Sequence, residues 1–194
     1  MSSTILTLVV GGPQPGVEPM LERFGAGLSE GGAEMVTSVV DLSSEDAQIT
    51  ELVARGRASA GIVLAAGEPT EAMAEALDKL HYVATRTTPG WELIGVFGQA
   101  VGTSLAALSA TDRRARQVVQ ALNARLYDWG AVIVPPGFGQ WPVTPWYDNR
   151  AGALTPDGAV TPGGAESLER HGRRLARVAA LLRSDVAALT VEPL

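Results

Sequence analysis

Five apolar runs of strand length, each followed directly or after a loop by a stretch with helical spacing, limit what this chain can fold into. They are Ile5 to Val10, Met35 to Leu42, Ala60 to Ala66, Trp91 to Phe97 and Ala131 to Pro136. Continuous runs rich in Val, Ile and Leu are typical of strands that are covered on both faces. Because such strands alternate with helices here, we expect an α/β fold with a five-stranded parallel sheet and helices on both of its faces.

The segments between and after these runs predict five helices. The first, Val17 to Glu30, has helical apolar spacing and stops at Gly31, a residue that favours the end of a helix. The others are expected from Ser43 or Ser44 through Arg57, from about Thr70 to Thr85, from Thr111 to Trp129, and from Gly163 or Gly164 to about Asp185.

The chain of 194 residues is long enough for one full-sized core, and we expect a single domain over 1–194. The Gly- and Pro-rich segment 137–162 is the one candidate boundary, but a single helix follows it, which is too little for a second domain. We therefore expect 137–162 to be a long loop near the ligand cleft or a subunit interface.

Composition excludes several classes of function. Acidic residues outnumber basic ones by 21 to 15, which argues against a nucleic-acid or anionic-membrane partner. The absence of cysteine excludes disulfides and thiolate chemistry, and His81 and His171 have no second ligand at metal spacing. The start of the chain lacks a basic leader and a long apolar span, so we expect a cytoplasmic protein.

In a parallel α/β sheet, ligands bind beyond the carboxyl ends of the strands, so the loops 11–17, 66–73 and 98–104 are the candidate binding loops. The first follows a strand and precedes a helix, which is the usual layout of a phosphate cradle. The N–H groups of Gly12, Gln14, Gly16 and Val17 could hold a phosphate there, although Glu18 would repel it. The alternative is a turn that Pro13 and Pro15, with Pro19 just after it, merely stiffen.

Two stretches near the end of the chain carry a family resemblance: "YDWGAVIVPPGF" from Tyr127 to Phe138, and "TPWYDNRAGALTPDGAVTPGGAESLERHGRRLARVAALL" from Thr144 to Leu182. They resemble the tryptophan-repressor-binding-protein family of flavodoxin-like NAD(P)H:quinone oxidoreductases. The resemblance implies a flavodoxin-like three-layer sandwich with strand order 2-1-3-4-5 and FMN at the point where the order reverses. It also implies NAD(P)H as co-substrate, a small-molecule acceptor such as a quinone, and association into a homodimer or homotetramer.

The same resemblance extends to the three candidate loops and implies which residues contact the cofactor. No side chain is expected to act as a catalytic acid or base, and no metal is expected. The implied FMN-binding residues are Gly12, Gln14, Gly16 and Val17 in the first loop, Pro69, Thr70, Glu71, Ala72 and Met73 in the second, and Gly98, Gln99, Ala100, Gly102 and Thr103 in the third. Thr70 and the residues after it could equally be no more than the start of a helix.

Four places depart from the family pattern where the cofactor would bind. They are Gly12 in the first loop, Glu71 and Ala72 in the second, Gln99 and Ala100 in the third, and Asp128 and Trp129 at the end of the fourth helix. Pro13, Pro15 and Pro19 also lack N–H donors. These departures leave open a second interpretation, in which the domain has lost FMN and serves as a binding or assembly subunit, or binds another ligand in the same cleft.

Four of the ten aromatic residues gather in the segment 138–147, namely Phe138, Trp141, Trp146 and Tyr147. Aromatic side chains beside a cleft can stack on a ligand or anchor a subunit. They can also pin a long loop to the domain. We expect packing or a subunit contact rather than ligand stacking.

Overall fold

The computed structural model describes residues 3–90, 96–97, 101–109, 113–135, 152–154 and 159–189, of which 109, 152–153 and 183–189 are described by their backbone alone. Its strands are β1 (Ser3–Val10), β2 (Ala33–Val40), β3 (Gly61–Ala66), β4 (Val101–Ser109), β5 (Val132–Ile133) and β6 (Gly152–Leu154). Its helices are α1 (Val17–Glu30), α2 (Asp46–Ala58), α3 (Glu71–Thr87), α4 (Arg113–Asp128) and α5 (Pro162–Leu189).

The sheet has the strand order β2-β1-β3-β4-β5, and each pairing between these strands is parallel, as the sequence predicts. β6 also pairs in parallel with β4, farther along it. β5 lies beside Val101 and Gly102, whereas β6 lies beside Ala106 and Ser109. Two short segments thus fill one position of the sheet in succession.

The expected long loop at 137–162 is wrong in one place, because β6 lies within it, and α5 begins at its last residue, Pro162. The strand has the sequence Gly-Ala-Leu, which carries no β-branched residue and gives no strand signal. Residues 136–151, with the aromatic group Phe138, Trp141, Trp146 and Tyr147, lie outside the described residues.

The fourth strand of the sheet begins at Val101, after the run Trp91 to Phe97 in which the apolar pattern predicts it. Val96 and Phe97, at the end of the predicted strand, form a buried turn, and the rest of that run lies outside the described residues. β4 instead runs from Val101 to Ser109 and mixes small residues with Val, Thr and Leu. A Cβ on Gly102 would lie 2.9 Å from a methyl carbon of the buried Leu126 on α4, so a larger residue there would require that side chain to move. Close cover by α4 thus favours glycine at this position over a residue of higher strand propensity.

The helices cover the two faces of the sheet in two layers. α1 and α5 bury one face around Phe24, Val63 and Leu175. α2, α3 and α4 bury the other face around Ile49, Leu80 and Leu122, together with Phe97 and Trp129. No helix in the described part of the chain is both long and apolar enough to cross a bilayer.

α1 and α5 approach each other closely at two glycines. A Cβ on Gly27 would lie 2.0 Å from the backbone oxygen of Glu169, and one on Gly172 would lie 2.3 Å from that of Phe24. Ion pairs flank this contact, from Arg23 to Glu169 at 3.5 Å and from Arg173 to Glu30. The first and last helices are thereby held together with backbone touching backbone.

Candidate functional site

The loop between β1 and α1 is shaped by glycines at the carboxyl edge of the sheet. Gly11, Gly12 and Gly16 have φ angles of 85°, 87° and 80°, a region that other residues rarely adopt. The Gly11 N–H donates to the carbonyl of Val40 at 2.9 Å. A Cβ on Gly11 would lie 3.0 Å from the Cα of Met73, so the loop rests directly on the first turn of α3.

Three N–H groups of this loop are free to bind a ligand. Within the described residues, the amides of Gly12, Gln14 and Gly16 donate to no protein acceptor, although Gly12 is itself buried. The predicted fourth donor is already engaged, because the Val17 N–H donates to the carbonyl of Gln14 at 3.3 Å. Unpaired backbone donors just before the start of a helix are a common feature of anion-binding sites.

The loop between β3 and α3 turns out to be a capped helix start. The Thr70 hydroxyl accepts a hydrogen bond from the Met73 N–H at 3.2 Å, and α3 begins at Glu71. Thr70, Glu71 and Ala72 are exposed and Pro69 is partly exposed, so these four can face a ligand. Met73 cannot contribute a side-chain surface, because it is buried in the core beneath the loop.

The side chain of Gln14 joins the two loops. Its Oε1 accepts a hydrogen bond from the Glu68 N–H at 2.6 Å. It lies over Gly67, whose Cβ would come within 2.1 Å of the same oxygen. The sequence analysis assigned Gln14 a role only through its backbone, since nothing in the pattern shows which way a loop side chain points.

A carboxylate stands beside the first loop. Asp41, which follows β2, accepts hydrogen bonds from the Ser43 hydroxyl at 2.6 Å and the Ser43 N–H at 2.9 Å. The Ser43 hydroxyl bond, with help from the Ser43 and Ser44 amides, lowers the pKa of Asp41 although slight burial opposes it. A Cβ on Gly12 would lie 4.0 Å from the Cβ of Asp41. An anion held by the first loop therefore has a firmly ionised neighbour.

The basic side chains of Lys79 and Arg114 already bond other groups of the protein. Lys79 donates to the carbonyls of Leu42 and Ser44 at 3.1 and 2.5 Å and thereby fixes the turn after β2. Arg114 pairs with Glu68 at 3.2 Å. An anion in the first loop would thus be held by N–H dipoles and by the α1 helix dipole rather than by a cation.

The third predicted loop is wrong for residues 101–104, which belong to β4 near its amino end. Gly102 and Thr103 pair with Ile62 and Val63 at the start of β3, on the edge opposite to the cleft. Ser104 donates to the Asn123 amide oxygen at 2.8 Å. Gly98, Gln99 and Ala100 lie outside the described residues.

Thr103 is committed to a buried hydrogen-bond chain. Its hydroxyl donates to the carbonyl of Val134 at 2.8 Å and lies 2.8 Å from His171 Nε2. Nε2 also lies 3.1 Å from the same Val134 carbonyl, which can only accept, so we assign the proton of the neutral imidazole to Nε2. Burial lowers the pKa of His171 to about 4, so the ring is uncharged at neutral pH. The sequence analysis, which expected no metal at His171, gave no sign of this structural role.

No group of three His, Asp or Glu side chains within the described ranges is placed to hold a metal ion. His81 instead accepts a hydrogen bond at Nδ1 from the Trp129 indole N–H, over 3.0 Å. Trp129 also packs edge-on against Phe97, with 5.1 Å between ring centroids. His81 and Trp129 thus stabilise the core on the face of the sheet that α3 and α4 cover.

Comparison with known proteins gives fold-level matches only. No protein-family model and no curated protein matches the sequence. Among solved structures, a flavodoxin, WrbA-like protein from Agrobacterium tumefaciens superposes with a TM-score of 0.64 at 16% identity, covering 93% of this chain and 99% of that one. An oxidoreductase from Corynebacterium diphtheriae gives 0.56 at 18%, covering 95% and 99%.

A third matching structure was solved with a flavin derivative bound. RosB with bound 8-demethyl-8-formylriboflavin-5'-phosphate superposes with a TM-score of 0.65 at 11% identity, covering 97% of this chain and 85% of that one. Together with the strand order, these matches show that the chain has the flavodoxin-like fold. Identities this low leave its activity to be argued from the site.

Proposed function

We propose that this protein binds FMN between the β1–α1 and β3–α3 loops and acts as an NAD(P)H oxidoreductase that passes two electrons to quinones or similar acceptors. The observation that carries the proposal is the set of three N–H groups on Gly12, Gln14 and Gly16 that donate to nothing in the described residues. The family-like stretches Tyr127 to Phe138 and Thr144 to Leu182 support the same activity.

The first loop fits the phosphate of FMN by its donor chemistry. Its three open amides lie within five residues of one another, directly before the positive end of the α1 dipole. Glycine is needed at Gly12, because its φ of 87° is a conformation that other residues rarely adopt. Pro13 and Pro15 restrict the loop in the absence of ligand, so that less entropy is lost on binding.

The second loop would border the flat ring of the cofactor. Pro69, Thr70, Glu71 and Ala72 supply a partly exposed surface, and the Thr70 cap and the Gln14 to Glu68 bond fix its position. When bound, FMN accepts a hydride from a nicotinamide and gives up two electrons to an acceptor. The residues of this chain then need only hold and orient the reactants, which agrees with the lack of an acid–base pair in the predicted site.

A specific observation favours a second function. The Gln14 side chain spans the cleft to Glu68 at 2.6 Å, and Asp41 faces the first loop while Lys79 and Arg114 are engaged elsewhere. These features suit a domain without flavin that serves as a binding or assembly subunit, or that takes a less anionic ligand in the cleft. The two functions differ in whether FMN binds at all.

The absorption spectrum of the purified protein, and the quenching of FMN fluorescence on titration, distinguish the two. The flavoprotein proposal expects flavin bands or saturable quenching. It also expects the FMN-loaded protein to oxidise NADH or NADPH when benzoquinone is present. An absence of bands and of quenching would reject the flavoprotein and leave the second function.

A matched pair of variants tests the position of the phosphate. Gly12→Asp adds a carboxylate beside the open amides, and we expect it to weaken FMN binding by about tenfold or more. Gly32→Asp is the control, because Gly32 has a φ of 86° and open space around it but lies after α1, at the other end of that helix. Equal FMN affinity in both variants would place the phosphate elsewhere.

We also propose that the protein associates into a homodimer or homotetramer in the cytoplasm, as the resemblance implies. Light scattering coupled to size-exclusion chromatography tests the association directly. A mass of one chain, 20.2 kDa, would contradict it.

A further inference from the structure

A second concave surface lies next to the first loop, on the side of the sheet that α1 covers. It is a groove of about 420 Å³ between α1 and the face of β2, lined by the apolar side chains of Val17, Leu21, Met35 and Val39. The groove exists because β2 is the edge strand, so that α1 covers it incompletely and Val39 remains 44% exposed. Its volume lies in the range of sites that hold small organic ligands.

Two carboxylates flank this apolar surface. Glu18 and Glu22 line the groove and lie one helical turn apart on α1, which places them on the same side of the helix. In the described part of the chain, neither has a hydrogen-bond or ion-pair partner. By contrast, the next acidic residue of α1, Glu30, is paired with Arg173.

We propose that this groove binds an amphiphilic organic cation, a compact apolar body that carries one protonated amine. The apolar body would lie over Met35 and Val39, and the ammonium group would lie between Glu18 and Glu22. Burial of the apolar body supplies most of the affinity, and the two carboxylates select the sign of the charge.

Charge argues against the other occupants of such a surface. An anionic ligand such as a flavin phosphate would meet Glu18 and Glu22 with no lining cation to offset them. A second copy of this chain in a symmetric contact would bring the same carboxylates together, and each copy carries a net charge of -6. The proposal does not require FMN in the cleft, although the groove shares Pro13, Gln14 and Val17 with the first loop.

The test uses two probes of nearly equal shape and opposite charge, tryptamine and indole-3-propionate. Binding is followed by the NMR signals of ¹³C-labelled methionine methyl groups. Met35 lines the groove, whereas Met20 and Met73 are buried outside it and serve as internal controls. Tryptamine is expected to shift the Met35 signal with saturation by about 10 mM, and indole-3-propionate to leave it in place.

Two variants test the parts of the site separately. Glu18→Gln with Glu22→Gln should weaken tryptamine binding about 5- to 10-fold, since exposed ion pairs are individually modest. Glu75→Gln on α3 removes an exposed carboxylate away from the groove and should leave the affinity unchanged. Thr37→Phe places a large ring at an exposed position that lines the groove, and it should abolish the Met35 shift caused by tryptamine. Unchanged Met20 and Met73 signals would show that this variant is folded.

The proposal is overturned if tryptamine leaves Met35 unshifted, if indole-3-propionate binds as well, or if Glu75→Gln weakens binding as much as the double variant. Added FMN provides one further check. If FMN displaces tryptamine, the groove belongs to the cofactor cleft and is no separate site; simultaneous binding supports two sites.

Discussion

The two faces of the sheet are covered by different means. α1 and α5 meet at Gly27 and Gly172, where backbone lies against backbone and nothing larger than hydrogen fits. On the other face, Phe97 and Trp129 fill the space between the sheet and α3 and α4 with large rings. Each face also buries one histidine hydrogen bond, at His171 and at His81. The first face is thus intolerant of added volume, and the second depends on volume and on one indole N–H.

The face of the sheet covered by α1 and α5 is here called the tight face. Adding a methyl group to it should cause the largest loss of stability. Gly27→Ala places a Cβ 2.0 Å from the Glu169 oxygen, which neither helix can avoid without moving apart. We expect a loss of at least about 3 kcal/mol in the free energy of unfolding, measured by urea denaturation.

Gly25→Ala is the matched control for that substitution in the same helix. Its Cβ would meet the end of the flexible Met35 side chain at 2.9 Å, a contact that a change of rotamer can relieve. We expect a change within about 1 kcal/mol, partly offset by better helix propensity. Equal losses in the two variants would show that the α1–α5 contact is less tight than described.

The second-largest loss of stability is expected in acid and arises on the tight face. The pKa of His171 is about 4 in the folded protein, because of burial, against an ordinary 6.5. The unfolded chain therefore binds a proton at a higher pH than the folded one, so stability is complete above pH 6.5 and falls towards pH 4. Between pH 7 and 5 this contributes a loss of about 2 kcal/mol. His171→Phe should flatten this part of the profile, and an unchanged slope would assign the effect to other groups.

The opposite face should respond less to loss of its own histidine. His81→Phe removes the acceptor of the Trp129 N–H and should cost about 1–2 kcal/mol, because a buried donor is left unpaired. His81→Gln keeps an acceptor and should restore part of the loss in thermal unfolding. An equal loss of stability in both variants would show that the hydrogen bond from Trp129 is not what stabilises this face.

The smallest effect is expected at the carboxyl edge, which belongs to neither face. Gln14→Ala removes the acceptor of the Glu68 N–H and should cost about 1 kcal/mol or less, since water can replace it. Hydrogen exchange at Glu68 should nevertheless become faster. Unchanged exchange would mean that the two loops are not joined by this bond in solution.

The sequence predicted those elements whose residues agree with their local environment. β1 and β3 are continuous apolar runs, and α1 was predicted with the observed bounds because its apolar spacing and the Gly31 signal coincide. β4 was not predicted because Gly, Ala and Ser interrupt its apolar pattern, and close cover by α4 favours glycine at Gly102 over a β-branched residue. Phe97 and its neighbours carried the stronger strand pattern, but Val96 and Phe97 turn inward to fill the core.

The candidate site was predictable in position but not in detail. The sequence predicted a turn after the first strand, and the structure has it there, with Gly12 and Gly16 in the left-handed region. The direction of the Gln14 side chain and the engagement of Lys79 depend on residues more than 30 positions away, at distances that no local pattern encodes. The mistaken assignment of Thr103 to a binding loop followed directly from the misplaced fourth strand.

The contact between α1 and α5 also bears on how the chain folds as it is made. α5 is the last helix of the described chain, yet it covers the face of the sheet on which α1 packs. Until the ribosome has synthesised it, Phe24, Leu28 and the strand residues beside them have only part of their cover. Domains fold as units during synthesis, and exposed apolar surface invites aggregation. In the nascent chain this face therefore stays incompletely covered until α5 has left the ribosome.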